Sequence, residues 1–348
     1  MERVVKNVWY VAAWAHEVGL TPLGRRICNK PVVLYRQTSG NVAALEDRCC
    51  HRGLPLAMGR VTGDLLQCGY HGLCFDADGN CVKVPGQDHV PAKAQVRAYP
   101  VVEQDGLVWI WIGDPDLADA SKIVRFERHS DPAWNWRGER FDYRANHLLL
   151  YDNLLDLTHV GYVHPHTIGG NAEEHSDASM QVERGDGWAK GVRWMRNRLP
   201  PAAYLELWPF KGRVDRWQVI RFDPGLVRIS VAAKDACTAR GDDDYVDAYQ
   251  SHGFHGVTPA TDSSCHYFWS VGIPTFFDRP GLIDRKIELT RLTFEEDRDI
   301  LEAQYARRME EPDRPFVDIR SDSLGLAARR IWTALGALEN EQSHKETT

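Results

Sequence analysis

No apolar run in this 348-residue chain approaches the ~20 residues of a membrane span; the longest, LVWIWIG at 107–113, is strand-sized. A net basic charge is missing too. Lys and Arg total 42 against 49 Asp and Glu, a formal charge of −7, so no sequence-wide field attracts nucleic acid or anionic lipid. There is no internal repeat and no GxGxxG fingerprint, so the chain is not expected to bind a dinucleotide itself. The opening MERVVKNVWY lacks the apolar stretch and small-residue cleavage site of a secretory signal, which gives a cytoplasmic expectation. With 43% hydrophobic and 26% charged residues, disorder, collagen-like repeats and coiled coil are excluded.

What is abundant is locally placed cysteine. Six of the eight (Cys28, Cys49, Cys50, Cys68, Cys74 and Cys81) precede residue 82, with Cys237 and Cys265 far behind. In a reducing compartment such a cluster points to metal more than to disulfides. The same region is rich in strand signals such as KPVVLYR, NVAALED and LVWIWIG, with DADGN at 76–80 as a hairpin turn. Past residue 118 the texture changes. Helical spacing covers 146–160, 290–309 and 324–338, and strand patterns occupy 214–233 and 265–273. The expected division is 1–118, 119–340 and a flexible polar tail at 341–348, in an α+β fold with the β-rich part first.

The first constellation is DRCCHRGLPLAMGRVTGDLLQCGYHG, residues 47–72. It holds Cys49-x-His51, sixteen residues, then Cys68-x-x-His71. Zinc fingers keep like ligands together. Here each arm carries one Cys and one His, the set that a Rieske 2Fe–2S cluster needs: two thiolates on one iron, two imidazoles on the other. Cys50 should point away from the metal, and Gly53, Gly69 and Gly72 let the loops turn. Cys28, Cys74, Cys81, Cys237 and Cys265 are read as small buried or partly exposed thiols, and Trp109 and Trp111 as core.

The second constellation is YDNLLDLTHVGYVHPHT, residues 151–167. Asn153, Asp156 and His159 fall on one helical face, and His164 lies five residues on, about 140° around an unbroken helix. Both histidines reach one ion only if the helix opens between them, for which Gly161 is placed. Two His and one carboxylate make the facial triad of non-haem Fe(II) oxygenases. Asp297 in TFEEDRDILEAQ is the best third ligand; Glu295, Glu296 and Asp299 stay open. Two competing readings drop the second iron: a Rieske electron carrier and a zinc-organised binding module.

Together the two constellations resemble the oxygenase component of Rieske non-haem iron oxygenases, within the vanillate O-demethylase and toluenesulfonate methyl-monooxygenase group. CCHRGLPL, CGYHG, LVWIWIGDP, DNLLDLTHVGYVH and FEEDRDILEAQ carry the resemblance. It implies an N-terminal Rieske β-domain and a catalytic domain whose seven-stranded antiparallel sheet is flanked by helices. It also implies a head-to-tail homotrimer, with Asp156 bridging His71 of a neighbour to His159. The implied partners are a separate NAD(P)H-dependent flavin/ferredoxin reductase, O2 and a small aromatic acid. The implied reaction is hydroxylation of a methyl or methoxy group; ring hydroxylation or dihydroxylation and N-demethylation are the competitors. Arg216, Arg221, Arg291 and His255 are candidate anion donors, and Trp208, Trp217, Phe268 and Trp269 line either a flat pocket or the core.

Overall fold

The computed structural model describes residues 4–168, 171–205, 207–277 and 279–345. Its backbone contacts divide the chain into two units. Among the described residues, one holds those through Arg125 with Thr258–Asp262 and the helix end from Glu339 to Lys345; the other holds those within Phe126–Val257 and Ser263–Leu338.

The first unit is built from short antiparallel strands, as its dense turn residues dictate. β1 (Trp9–Trp14), β9 (Val101–Gln104) and β10 (Leu107–Trp111) form one sheet in the order β1-β10-β9, and β2 (Leu23–Ile27), β3 (Lys30–Arg36) and β4 (Val42–Glu46) form a second. β5 (Arg60–Thr62), β6 (Leu65–Gln67), β7 (Cys74–Phe75) and β8 (Cys81–Lys83) make the third. Between β7 and β8 the Asp76 carboxylate accepts from the amides of Asp78 and Asn80, so DADGN is the hairpin its composition predicts. Val33, Tyr35, Leu45, Leu56, Leu66 and Phe75 pack into one core, and Cys49 and Cys68 lie against it. Trp109 and Trp111 are buried in β10.

The second unit centres on a seven-stranded antiparallel sheet of described residues: β11 (Trp134–Tyr143), β12 (Ser179–Gly185), β13 (Trp188–Arg198), β14 (Val214–Asp223), β15 (Leu226–Asp235), β16 (Tyr249–Thr261) and β17 (Ser264–Pro274). β12 to β17 run in sequence order, and β11 pairs with β17 on the far side. β14, central and covered on both faces, is nearly all buried; edge strand β12 alternates half-buried and exposed residues, as a one-sided strand must.

The helices are α1 (His147–Leu155), α2 (Val160–Val163), α3 (Ala172–Ser176), α4 (Ala202–Leu205), α5 (Leu282–Glu310) and α6 (Ser323–Lys345). α5 follows β17 and lays Phe294 edge-on against Trp269 and Tyr267. Helix α6 continues through Lys345, so part of the stretch expected to be a flexible tail is helical; 346–348 lie outside the described residues. None of the described helices is long and apolar enough to cross a membrane.

Candidate metal centres and cavity

Two loops of equal design carry the first constellation. The amide of Cys49 donates to the carbonyl of Leu54, and the amide of Gly53 returns to the carbonyl of Cys49; Cys68 does the same with Leu73 and Gly72. Gly53 and Gly72 sit at φ of +75° and +76°, where a Cβ is strained. Sequence positions nineteen apart therefore become equivalent in space.

The loops bury the sulfur ends and expose the imidazole ends. Cys49 and Cys68 are each 3% exposed, whereas His51 and His71 face solvent with ring centroids 4.5 Å apart. Burial pushes the Cys49 thiol up to about 11, the His51 amide works against this, and the neighbouring Cys68 sulfur adds to the rise. Two buried thiolates side by side need a cationic group between them. Thiolates inside and imidazoles outside fit a Rieske 2Fe–2S cluster.

The second constellation differs from its sequence reading in where the helix opens. α1 ends at Leu155 with Asp156 already extended (φ −120°, ψ 98°), and α2 begins after His159. The break therefore precedes His159, and a second one follows Val163 at His164. Gly161 lies inside α2, where it serves a different purpose: a Cβ there would sit 2.3 Å from the Cα of Ala172 in α3. Glycine lets two short helices touch.

This broken segment brings three ligand-type groups together across 138 residues of sequence. The Oδ1 of Asp297 lies 3.5 Å from His159 Nε2 and 3.2 Å from His164 Nε2. Three facial ligands about 2.1 Å from a common ion stand about 3 Å apart, so the set fits one metal ion. The remaining ring nitrogens are occupied in the correct sense. His159 Nδ1 donates to the carbonyl of Asp156 at 2.5 Å, and His164 Nδ1 to the Glu296 carboxylate at 2.7 Å. Both rings thus keep a lone pair on Nε2, facing Asp297. Burial holds His159 below its ordinary pKa despite Asp297. Burial also opposes charge on His164, but Asp297 and Glu296 outweigh it and raise that ring.

Asp297 is 3% exposed and also accepts a 2.8 Å bond from Asn153 Nδ2. The Oδ1 of Asp156 accepts from the amide and hydroxyl of Thr158. The bond from Asp156 to His159 comes from its main chain, so Oδ2 has no hydrogen-bond partner among the described residues. Glu296, left open as an ion ligand, instead holds His164 and accepts from Thr167 Oγ1 at 3.1 Å. Sequence spacing carried no signal for that division of labour between adjacent acids.

A cavity of about 430 Å³ opens from these ligands. Its walls come from α1, α2, β14 to β17 and one stripe of α5 at Leu282, Lys286, Leu289, Thr293, Phe294 and Asp297. Of the four candidate anion donors, Arg216 and His255 line it. Arg221 stacks on Trp188 and pairs with Asp223, and Arg291 pairs with Glu295. The four aromatics belong to packing instead: Trp217 stacks on Trp194, Trp208 meets Phe277, and Phe268 and Trp269 are fully buried in β17. Tyr204, Tyr249 and Phe294 are the rings on the cavity wall. His255, whose Nδ1 meets the Tyr267 hydroxyl at 2.7 Å, is lowered by burial to about 3 and is neutral. Lys286 and Arg285, which the sequence reading passed over, also line the cavity, and burial lowers Lys286 to about 8.

Comparison with known proteins agrees with this architecture. The Rieske [2Fe–2S] domain family matches residues 8–100, and the vanillate O-demethylase oxygenase C-terminal domain family matches residues 143–338. The chain is 38% identical over 327 residues to the iron–sulfur subunit of the toluene-4-sulfonate monooxygenase system of Comamonas testosteroni, covering 92% of this chain and 93% of the relative. It is 36% identical over 353 residues to the vanillate O-demethylase oxygenase subunit of a Pseudomonas species, covering 97% and 96%. The crystal structure of dicamba monooxygenase bound to 3,6-dichlorosalicylic acid superimposes with a TM-score of 0.89 at 34% identity, over 97% of this chain and 99% of that one. A Rieske domain joined to a helix-flanked antiparallel sheet defines a class, the Rieske non-haem iron oxygenases. Within it, the chain belongs to the vanillate O-demethylase oxygenase family. It is the oxygenase component of an iron-dependent monooxygenase, with a Rieske 2Fe–2S cluster and a mononuclear iron as cofactors and electrons from a separate reductase system.

Proposed function

We propose that this enzyme hydroxylates a methyl or methoxy carbon of a small aromatic acid inside the 430 Å³ cavity. The carrying observation is that this cavity ends on His159, His164 and Asp297. Cys49, His51, Cys68 and His71 would hold the cluster, and His159, His164 and Asp297 the iron. When bound, the iron would supply O2 activation: with two electrons from the reductase and two protons, one oxygen atom would go into a C–H bond and the other would leave as water.

The chain's own residues prepare that site. Asn153 holds the Asp297 carboxylate in place, while Asp156 and Glu296 fix the two imidazole tautomers. Leu154, Leu157, Val160, Ile229, Val231 and Leu289 give the cavity an apolar wall that excludes water around a ring. Hydroxylation of a methoxy carbon gives a hemiacetal that collapses to a phenol and formaldehyde; hydroxylation of an aryl methyl stops at the benzylic alcohol.

The free Oδ2 of Asp156 supports a bridge to His71 of a neighbouring subunit in a head-to-tail homotrimer, since His71 is exposed and ready to be covered. The boundary between cluster and iron domains is taken at 118/119. The reductase is taken as an NAD(P)H-dependent flavin/ferredoxin protein, and the location as cytoplasmic, which the eight unpaired cysteines support.

The test supplies O2, a surrogate reductase and either vanillate or 4-toluenesulfonate. Formaldehyde with a catechol identifies an O-demethylase, and a benzylic alcohol identifies a methyl hydroxylase. Oxygen uptake with neither product rejects both substrates.

A further inference from the structure

The charge of the cavity wall carries an inference about what enters it. Among the described lining residues Asp297 is the one acid, set against Arg216, Arg285 and Lys286. Asp297 belongs to the iron ligands, so the rest of the wall has cationic charge without an acid of its own.

These cations are not equivalent. Arg216 lies 3.7 Å from the Glu174 carboxylate and rests over the Tyr204 ring at 5.2 Å. The ammonium of Lys286 has no carboxylate or hydrogen-bond partner among the described residues, and its half-buried side chain lines the cavity with Leu282 and Leu289 on the same face of α5. A cavity-facing ammonium partly withdrawn from water and without a counter-charge is unfavourable. An anion entering the cavity would supply that counter-charge.

Position along α5 separates this group from the iron site. Lys286 precedes Asp297 by eleven residues on the same stripe, about 16 Å along the helix axis at 1.5 Å per residue. Leu289, Thr290, Thr293 and Phe294 line the interval. An anion on Lys286 is therefore too distant to ligate the iron, and a ring between the two ends presents its other substituent to the iron.

We propose that Lys286 is the specificity residue that binds the anionic oxyacid group of the substrate, a carboxylate or a sulfonate, at the end of the cavity remote from the iron ligands. This rests on the functional reading above and names the residue that enforces its acid requirement.

Isothermal titration of the iron-loaded enzyme under argon tests it with three probes: 4-methylbenzoate, 4-toluenesulfonate and the uncharged 4-methylanisole. Lys286→Met keeps the stem and removes the charge; Lys286→Arg keeps the charge. The expected result is about 10- to 100-fold weaker binding of at least one acid by K286M, the size of a lost charged hydrogen bond. The affinity for 4-methylanisole should stay unchanged, and K286R should restore most of the loss. Whichever acid shows the dependence identifies the oxyacid. Unaltered acid binding by K286M overturns the proposal. So does equal weakening of acid and anisole, which would make Lys286 a packing residue, and so does a wild-type enzyme that binds neither acid. Product formation separates this from the functional reading. Hydroxylated product together with charge-independent binding removes Lys286 alone; Lys286-dependent binding without product removes the reaction alone.

Discussion

At the scale of single residues, the iron site depends on groups that never touch the ion. Glu296 lies next to Asp297 in sequence, yet α5 turns successive residues 100° apart, so one acid faces both Nε2 atoms and the other meets His164 Nδ1. Glu296→Gln should keep the fold and lose the charged acceptor. The expected outcome is a 10- to 100-fold lower affinity for Fe(II), measured by titration of the apoenzyme, with cluster absorption unaltered. Affinity equal to wild type would mean that His164 is oriented by packing alone. The residue types of the ligands were legible in the sequence, since Cys-x-His, Cys-x-x-His and His-x4-His have few other uses in combination. Which of four neighbouring acids turns inward was not, because helical phase near a helix end depends on where the helix starts, and α5 begins eight residues earlier than the 290–309 pattern suggests.

At the scale of elements, α1 and α2 show how a ligand segment is assembled from pieces too short to be stable alone. Polar Asp156, Thr158 and His159 spend their hydrogen bonds on one another and on the broken helix ends, which is why the apolar periodicity of 146–160 hid the break. α1 also carries a buried histidine whose Nδ1 has no hydrogen-bond partner among the described residues: His147 packs edge-on to Tyr151 and Trp332. Burial, with a smaller push from Arg329, lowers it from 6.5 to about 3. Between those values the unfolded chain takes up a proton that the folded chain refuses. Stability therefore falls as pH drops from 6.5 towards 3, by about 1.4 kcal/mol per pH unit for this one group. Denaturant unfolding of His147→Leu against wild type across that range should give a slope smaller by one proton. Parallel curves would show that His147 is not the group responsible.

At the scale of the whole molecule, the two metal sites share no ligand and belong to different contact units of the chain. A ferrous chelator should therefore strip the mononuclear iron and abolish product formation while the Rieske absorption persists; loss of both signals together would refute the separation. Assembly is tested by mass. The homotrimer predicts a particle of about three times 39.6 kDa in solution, with Asp156→Ala retaining each site's metal but losing electron transfer to the iron; an active monomer would defeat it. The sequence by itself determined the chemistry of this protein, because cluster and iron ligands come in short local motifs whose residue types and spacings are set by the metal. It also determined the strand-rich first part and the helical signals of the second, which follow from local periodicity. Only the tertiary structure decided what surrounds that chemistry: that Trp217 and Trp269 serve the core, that Gly161 serves a helix contact, and that Lys286 reaches the cavity. Those facts depend on which faces of distant elements meet, and no local pattern encodes the meeting.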